Sequence, residues 1–263
     1  MKLAFSTLGC PQWTWDRIVE QARVLGYDGI EVRGLLEEMD LEKLPPFALQ
    51  EQAATLARLH QLQLSLCCLD TSCAFLAADF DETLRAGRAA VDLAAALGTP
   101  WVRVFGDRIP AGMEPAAAVA QVARGMNVLG LHAQGKSVSV LLETHGDFAK
   151  SALLKDVFAR VDSPATGVLW DLANPFEVGD TLEQVWERLG PLIAHVHVKD
   201  MTERGKLCLP GKGAVPIGRA VKLLRDGGYD GWLSFEWEKR WHTGLETPEV
   251  ALPAYVDYMA QYL

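Results

Sequence analysis

Four side chains in the second half of the chain are of types that bind divalent metals and move protons. They are Glu143, Asp171, His197 and Glu236. Each ends a short apolar run, and the four runs are VSVLLE at 138–143, TGVLWD at 166–171, IAHVH at 193–197 and WLSFE at 232–236. If the runs are successive parallel strands, their carboxyl ends meet at one rim and the four side chains converge there. Three carboxylates and one imidazole at a shared rim predict a divalent-metal site.

Each of these residues has an ordinary structural explanation when it is taken alone. A glutamate at a strand end commonly forms an ion pair or caps a loop, and His197 alone is equally well explained as a hydrogen-bonded histidine of the rim. The set favours a metal, because three converging acids are costly to bury without a cation. Oxygen ligands with one imidazole suit Mn²⁺, Mg²⁺ or Co²⁺, and Zn²⁺ is a further candidate that usually takes more nitrogen or sulfur ligands.

The elements that must position these residues are eight apolar runs rich in Val, Ile, Leu and Phe. They are near-continuous rather than alternating, which is typical of parallel strands covered on both faces. The predicted strands are 3–7, 29–33, 62–70, 101–106, 138–144, 167–172, 193–200 and 232–238.

Segments with helical periodicity lie between the strands. The predicted helices are 15–26, 84–98, 116–135, 152–161, 181–190, 218–231 and 247–263. Gly26 fits a left-handed C-terminal cap. Thr247 is a candidate N-cap, with Pro248 as the first helical residue. The Gly-rich segment at 211–218 lacks the spacing of a P-loop, so it is interpreted as the connection into the helix at 218.

Eight alternations of strand and helix, with no linker between them, predict the α/β class and a single (β/α)8 TIM barrel over residues 1–263. A doubly wound open sheet is the competing architecture. The count of eight favours the barrel, and so does the origin of the candidate site in four consecutive strands, since an open sheet concentrates its site at a switch point.

The composition limits the classes of partner. The chain has 263 residues, 49% of them apolar, and a net charge of −9, which argues against a broad phosphate-binding surface for nucleic acid. Its five cysteines are odd in number and show no zinc-ribbon spacing, which fits reduced thiols. The start contains no signal-peptide core and no run reaches the length of a membrane span. We therefore expect a cytoplasmic protein that binds neither nucleic acid nor membrane.

Five segments together resemble a known family. They are LLETHG at 141–146, WDLANP at 170–175, HVHVKD at 195–200, GKGAV at 211–215 and GYDGWLSFEWE at 228–238. The chain resembles the sugar phosphate isomerase/epimerase superfamily, the xylose isomerase-like TIM barrels, over nearly its whole length. The resemblance implies one divalent metal held by Glu143, Asp171, His197 and Glu236, the same residues that the strand ends select.

The resemblance also implies roles for these residues. Glu143 and Glu236 would act as the acid/base pair that exchanges a proton beside a carbonyl, through an enediolate stabilised by the metal. The chain departs from the epimerase pattern at Asn174, where a histidine is usual, and Asn cannot change charge near neutral pH. We expect Asn174 and His145 near the substrate, although a loop histidine bonded to backbone explains His145 equally well.

Two further residues are candidates for substrate contact. Lys199 could pair with a substrate oxyanion, and a salt bridge at the barrel rim is the alternative. Trp13 could stack on the apolar face of a sugar ring. Glu31, Arg33 and Arg103 are expected to form a charged network inside the barrel mouth.

The leading functional hypothesis is a metal-dependent isomerase or epimerase of a small sugar or polyhydroxy carbonyl compound, in carbohydrate metabolism and with manganese as a plausible ion. The alternatives on the same barrel are an inositol-type dehydratase and a hydroxypyruvate-type isomerase. An endonuclease IV-like nuclease and a non-catalytic sugar-binding barrel are the remaining classes. The nuclease needs more histidine and acidic ligands than the strand ends supply. A homo-oligomer is common in the resembling family, and no segment identifies an interface.

Overall fold

The computed structural model describes residues 1–263, and its eight principal strands close into a parallel barrel. The barrel strands are β1 (Lys2–Ser6), β2 (Gly29–Val32), β3 (Ser65–Ala74), β4 (Trp101–Asp107), β5 (Ser139–Gly146), β6 (Thr166–Asp171), β7 (Ile193–Val198) and β10 (Trp232–Phe235). Around the barrel they follow the order β1, β10, β7, β6, β5, β4, β3, β2. This closed order confirms the (β/α)8 prediction and excludes the open sheet.

The helices separate the strands along the chain. They are α1 (Trp15–Leu25), α2 (Gln52–Gln61), α3 (Phe80–Leu97), α4 (Pro115–Ala133), α5 (Ser151–Phe158), α6 (Ala173–Glu177), α7 (Leu182–Leu189), α8 (Ile217–Asp226) and α9 (Pro248–Met259). A small antiparallel hairpin, β8 (Asp200–Met201) with β9 (Leu207–Cys208), follows β7.

The helix ends show why several boundaries fall where the sequence places them. Gly26 has φ +81° in the left-handed region, and its N–H donates to two carbonyls of α1, as predicted. Thr247 is the N-cap of α9 and Pro248 its first residue, which also confirms the prediction. α7 begins with a capping box, in which the Thr181 hydroxyl and the Gln184 side chain each accept from the other residue's backbone N–H.

By its internal contacts the chain divides into two compact units, Met1–Leu69 with Val196–Leu263, and Asp70–His195. The expectation that the whole chain is one domain therefore stays a prediction. In the first unit, α9 packs on β10 through Tyr255, whose ring stacks on Phe235 with centroids 4.7 Å apart. The Tyr255 hydroxyl donates to the Leu233 carbonyl at 2.9 Å, so this buried tyrosine satisfies its polar end on the strand it covers.

The second unit contains β4, β5 and β6 with the helices α3 to α7. Its core includes a close approach of α3 and α4 at Gly87, where a Cβ atom would lie 2.5 Å from a methyl group of Leu129. A larger residue at Gly87 would require the Leu129 side chain to shift. No helix of the chain combines the length and the apolar composition that crossing a bilayer requires.

Candidate metal centre

His197 is a buried residue of β7 with a carboxylate near each of its ring nitrogens. Its Nε2 lies 2.9 Å from Glu31 Oε1, and its Nδ1 lies 3.5 Å from Glu236 Oε1. Burial lowers the pKa of His197, but the carboxylates of Glu31 and Glu236 together raise it more, so that the pKa lies well above its usual value. The buried imidazole thus lies between the carboxylates of Glu31 and Glu236.

Glu236 directly follows β10, and its N–H donates to the Val198 carbonyl, which extends the strand pairing by one residue. The residue is 5% exposed, and its second carboxylate oxygen lies 2.9 Å from Lys199 Nζ. The same ammonium group lies 2.6 Å from Glu238 Oε1. Lys199 therefore bridges two carboxylates, which matches the salt-bridge alternative from the sequence. The structure does not test whether it also contacts substrate.

Glu143 is a buried residue of β5 beside a buried arginine. Arg103 Nε lies 3.3 Å from Glu143 Oε2, and Arg103 Nη2 lies 3.4 Å from Asp70 Oδ2. The guanidinium carbon also lies 4.0 Å from the centroid of the Phe105 ring, a cation–π contact. All three charged groups are at most 1% exposed, so the arginine neutralises acids that water cannot reach.

Asp171 ends β6 and is fully buried, and the backbone of the following turn orients its carboxylate. Its Oδ1 accepts hydrogen bonds from the N–H groups of Ala173 at 2.7 Å and Asn174 at 2.8 Å. The Thr144 hydroxyl accepts from the Asp171 N–H, and the Asn174 amide donates to the Thr144 carbonyl at 3.0 Å. The Asn174 side chain thus ties β5 to the end of β6. Its proposed contact with substrate is not tested by these bonds.

His145 lies on β5 two residues beyond Glu143, so both side chains are on the same face of the strand. Its side chain is 40% exposed, and its Nδ1 lies 3.5 Å from Asp107 Oδ1. The imidazole also packs against the Phe105 ring with centroids 4.6 Å apart. This placement fits a residue at the mouth of the barrel that solvent can reach.

Trp13 is 3% exposed and precedes α1. Its indole N–H donates to Glu249 Oε1 at 3.2 Å, and Arg17 lies over its ring at 4.6 Å. Its packing with Arg17 and Glu249 accounts for the position of the indole. The predicted stacking of Trp13 on a sugar stays a prediction.

The structure brings the four predicted ligands together. Glu143, Asp171, His197 and Glu236 are all buried, and the ligand atoms that they offer lie within 4.8 Å of one another. Three carboxylates this close repel one another in a low-dielectric interior, so a divalent cation is the group that such a donor set fits.

A family model described as xylose isomerase-like TIM barrel matches residues 19–261. The chain belongs to this family. This match covers almost all of the chain and agrees with the closed order of the strands. It also confirms the resemblance that the sequence motifs indicated.

Two curated relatives of this xylose isomerase-like barrel are enzymes. Inosose dehydratase from Klebsiella pneumoniae is 28% identical over an alignment of 141 positions, which covers 45% of this chain and 47% of that enzyme. The aligned part thus spans less than half of that relative. Fructoselysine 3-epimerase from Shigella flexneri is 21% identical over 248 residues, or 90% of each chain.

A solved structure, the IOLI protein with a bound zinc atom, has the same fold. It superposes with a TM-score of 0.83 at 18% identity, over 100% of this chain and 99% of the other. The likeness confirms the barrel architecture.

The sequence interpretation left several partners of the site unassigned. Asp70 and Glu238 were not singled out, although Glu238 lies two residues beyond Glu236, a spacing that could have indicated a shared face. Glu31 and Arg103 were assigned only to a charged network. The partner of Glu31 lies on a strand across the barrel, and those of Arg103 lie on the neighbouring strands β3 and β5. Strand periodicity predicts neither the facing strands nor the register between neighbours.

Proposed function

We propose that this protein is a divalent-metal-dependent isomerase or epimerase that moves a proton at the carbon beside a carbonyl of a small sugar or polyhydroxy compound. The observation that carries the proposal is the buried group of Glu143, Asp171, His197 and Glu236 with ligand atoms within 4.8 Å. The epimerase relative, aligned over 90% of the chain, supports the reaction type.

The four side chains would hold one divalent cation. When bound, the cation supplies positive charge beside the substrate oxygens, which stabilises the enediolate that forms on loss of the proton. The three carboxylate ligands favour a hard ion, Mn²⁺, Mg²⁺ or Co²⁺, and the zinc in the IOLI structure keeps Zn²⁺ as an alternative.

Glu143 and Glu236 are the proposed acid/base pair. They belong to β5 and to the end of β10, two strands that β6 and β7 separate in the barrel order. They would therefore approach a bound substrate from different directions, which suits removal of a proton on one face and its return on the other. Each of the two proposed acid/base residues has a cation beside it, Arg103 next to Glu143 and Lys199 next to Glu236.

The substrate contacts belong to the same proposal. His145 at the barrel mouth and Asn174 beside Asp171 would bind substrate hydroxyl or carbonyl oxygens, and Lys199 would add a positive charge. Trp13 would supply an apolar surface. Because Asn174 stands where epimerases usually have a histidine, it would orient the substrate without exchanging a proton.

A dehydratase is the second candidate, and the 28% identity to inosose dehydratase favours it. It would begin with the same proton abstraction. The two reactions differ afterwards, because a dehydratase expels a hydroxyl group from the carbon next to the carbanion, while an epimerase returns the proton.

The deciding experiment follows proton exchange in heavy water by NMR and mass spectrometry, with apo protein reconstituted with Mn²⁺, Mg²⁺, Co²⁺ or Zn²⁺. Ketoses, inososes and short hydroxy-keto acids serve as the substrate panel. An isomerase or epimerase yields an isomer with one deuterium at the carbon beside the carbonyl. A dehydratase yields a product that lacks one water.

The variants Glu143→Gln and Glu236→Gln should each slow the reaction by about 100-fold or more. Glu187→Gln on the exposed face of α7 is the matched control and should react like the wild type. Exchange that is equally fast without metal, or equally fast in both active-site variants, would contradict the proposal.

A further inference from the structure

A buried glutamate on β2 contacts the imidazole of the proposed metal ligand His197. Glu31, in the GIEV segment, is fully buried, and its Oε1 lies 2.9 Å from His197 Nε2. In the barrel order β1 and β10 separate β2 from β7, so the two side chains meet across the barrel interior and not along a strand pair. The Glu31–His197 contact is therefore between side chains of two strands that are not hydrogen-bonded to each other.

The contacts of the two ring nitrogens of His197 indicate which nitrogen carries a proton and which would bind a metal. An ionised carboxylate carries no proton of its own, so the ion-pair contact of Nε2 with Glu31 at 2.9 Å places the proton on Nε2. The other nitrogen, Nδ1, lies 3.5 Å from Oε1 of Glu236, which is itself one of the proposed ligands. Nδ1 is therefore the nitrogen that would bind a cation.

We propose that Glu31 is a positioning residue that holds His197 in the Nε2–H tautomer, with Nδ1 turned toward the metal. A carboxylate on the far nitrogen of a metal-binding histidine fixes the tautomer and the orientation of the ring, and it raises the basicity of the ligating nitrogen. The inference rests on the proposed metal site and adds a residue that would not itself touch the ion.

The first test is metal affinity, measured by chelator competition with Mn²⁺ and with Zn²⁺ on the full chain. Glu31→Gln keeps an oxygen beside Nε2 but removes the charge, so its Kd for metal should rise about 10-fold, while Glu31→Ala should raise it about 100-fold. The free energy of unfolding of each apo variant is measured in parallel. Glu187→Gln is the control and should bind metal like the wild type.

The second test identifies the tautomer directly. In protein loaded with Zn²⁺ and labelled with ¹⁵N in its histidines, His197 should show a metal-bound Nδ1 and a protonated Nε2 in long-range NMR spectra. Glu31→Ala should lose the protected Nε2 proton. A role in folding alone would lower stability but leave the affinity of the folded protein and this signature unchanged.

The outcomes separate the inference from the proposed function. If the wild type binds metal through Nε2 of His197, or if both Glu31 variants bind it as tightly as the wild type, the positioning role is wrong and the metal site stands. If Glu31→Ala loses one of two bound ions, Glu31 is itself a ligand and the inference is overturned. If the wild type binds no metal, the proposed function fails and this inference fails with it.

Discussion

At the scale of single residues, the two carboxylate oxygens of Asp171 have different roles. One binds the backbone, and the other would bind the metal of the proposed site. Oδ1 accepts the N–H groups of Ala173 and Asn174, which holds the side chain in one orientation. Because these two hydrogen bonds fix the carboxylate, the orientation of Oδ2 is already set in the metal-free protein. Such preorganisation is what a metal ligand needs, because the side chain loses little freedom on binding.

The substitution Asp171→Asn tests this division. The amide oxygen can still accept both backbone hydrogen bonds, and one of three mutually repelling carboxylates is removed. We expect the free energy of unfolding of the apo protein to stay within about 1 kcal/mol of the wild type or to increase. The Kd for metal should rise by more than about 100-fold. Urea denaturation and chelator competition measure the two quantities, and metal binding at wild-type strength would contradict the ligand assignment.

Arg103 is expected to be a structural requirement as well as a neighbour of the site. Replacing it by leucine leaves Asp70 and Glu143 buried without their shared cation, so Arg103→Leu should destabilise the fold by roughly 3–5 kcal/mol. Arg225→Leu, at an exposed position of α8, is the control and should change stability by less than about 0.5 kcal/mol. Urea denaturation compares the two variants. A loss below about 1 kcal/mol for Arg103→Leu would mean that the buried acids have other compensation.

At the scale of elements, the sequence predicted all eight barrel strands and seven of the helices. It did not predict α2 or α6. α2 buries only Thr55 and Leu59 and has no side-chain N-cap, so it lacks both an apolar stripe and a start signal. α6 has only five residues, one of them Pro175, so it is too short to show a helical pattern of apolar residues. The four metal candidates were predictable because strand ends determine where they lie.

The hairpin β8–β9 was also missed, since each of its strands has two residues and depends on a side chain for its position. The carboxylate of Asp200 accepts hydrogen bonds from the backbone N–H groups of Met201, Gly211, Gly213 and Val215. The buried Asp200 therefore holds the loop between β7 and α8. A Cβ atom at Gly213 would lie 2.2 Å from the Asp200 carboxylate, so the loop has no room for a larger residue there.

Asp200→Asn is expected to release this loop. An amide keeps one acceptor oxygen and turns an NH₂ group toward backbone donors, which should cost about 3 kcal/mol of unfolding free energy. Amide hydrogen exchange over residues 209–216 should speed up more than exchange in the barrel strands. Asp226→Asn, which removes only an exposed ion pair with Lys222, is the control and should cost less than about 1 kcal/mol. Unchanged exchange in the loop would show that Asp200 is not its anchor.

At the scale of the whole molecule, the four proposed ligands lie far apart in the sequence. A cation bound to all four of them would therefore bind the folded chain, and the unfolded chain offers no such site. Metal at 100 times its Kd should therefore raise the free energy of unfolding by about 2.7 kcal/mol. Thermal unfolding with and without metal measures the gain, which should vanish in Asp171→Asn. An equal gain in that variant would place the ion elsewhere.

The number of divalent ions bound per chain is the most direct measure of the proposed metal centre. Purified protein is stripped with a chelator, reconstituted with Mn²⁺ or Zn²⁺, and analysed by elemental mass spectrometry after removal of free metal. We expect one tightly bound ion per wild-type chain and none in His197→Ala, with the variant still folded by circular dichroism. Three zinc ions per chain would indicate a nuclease-type cluster. Equal metal content in the wild type and in folded His197→Ala would contradict the proposed centre.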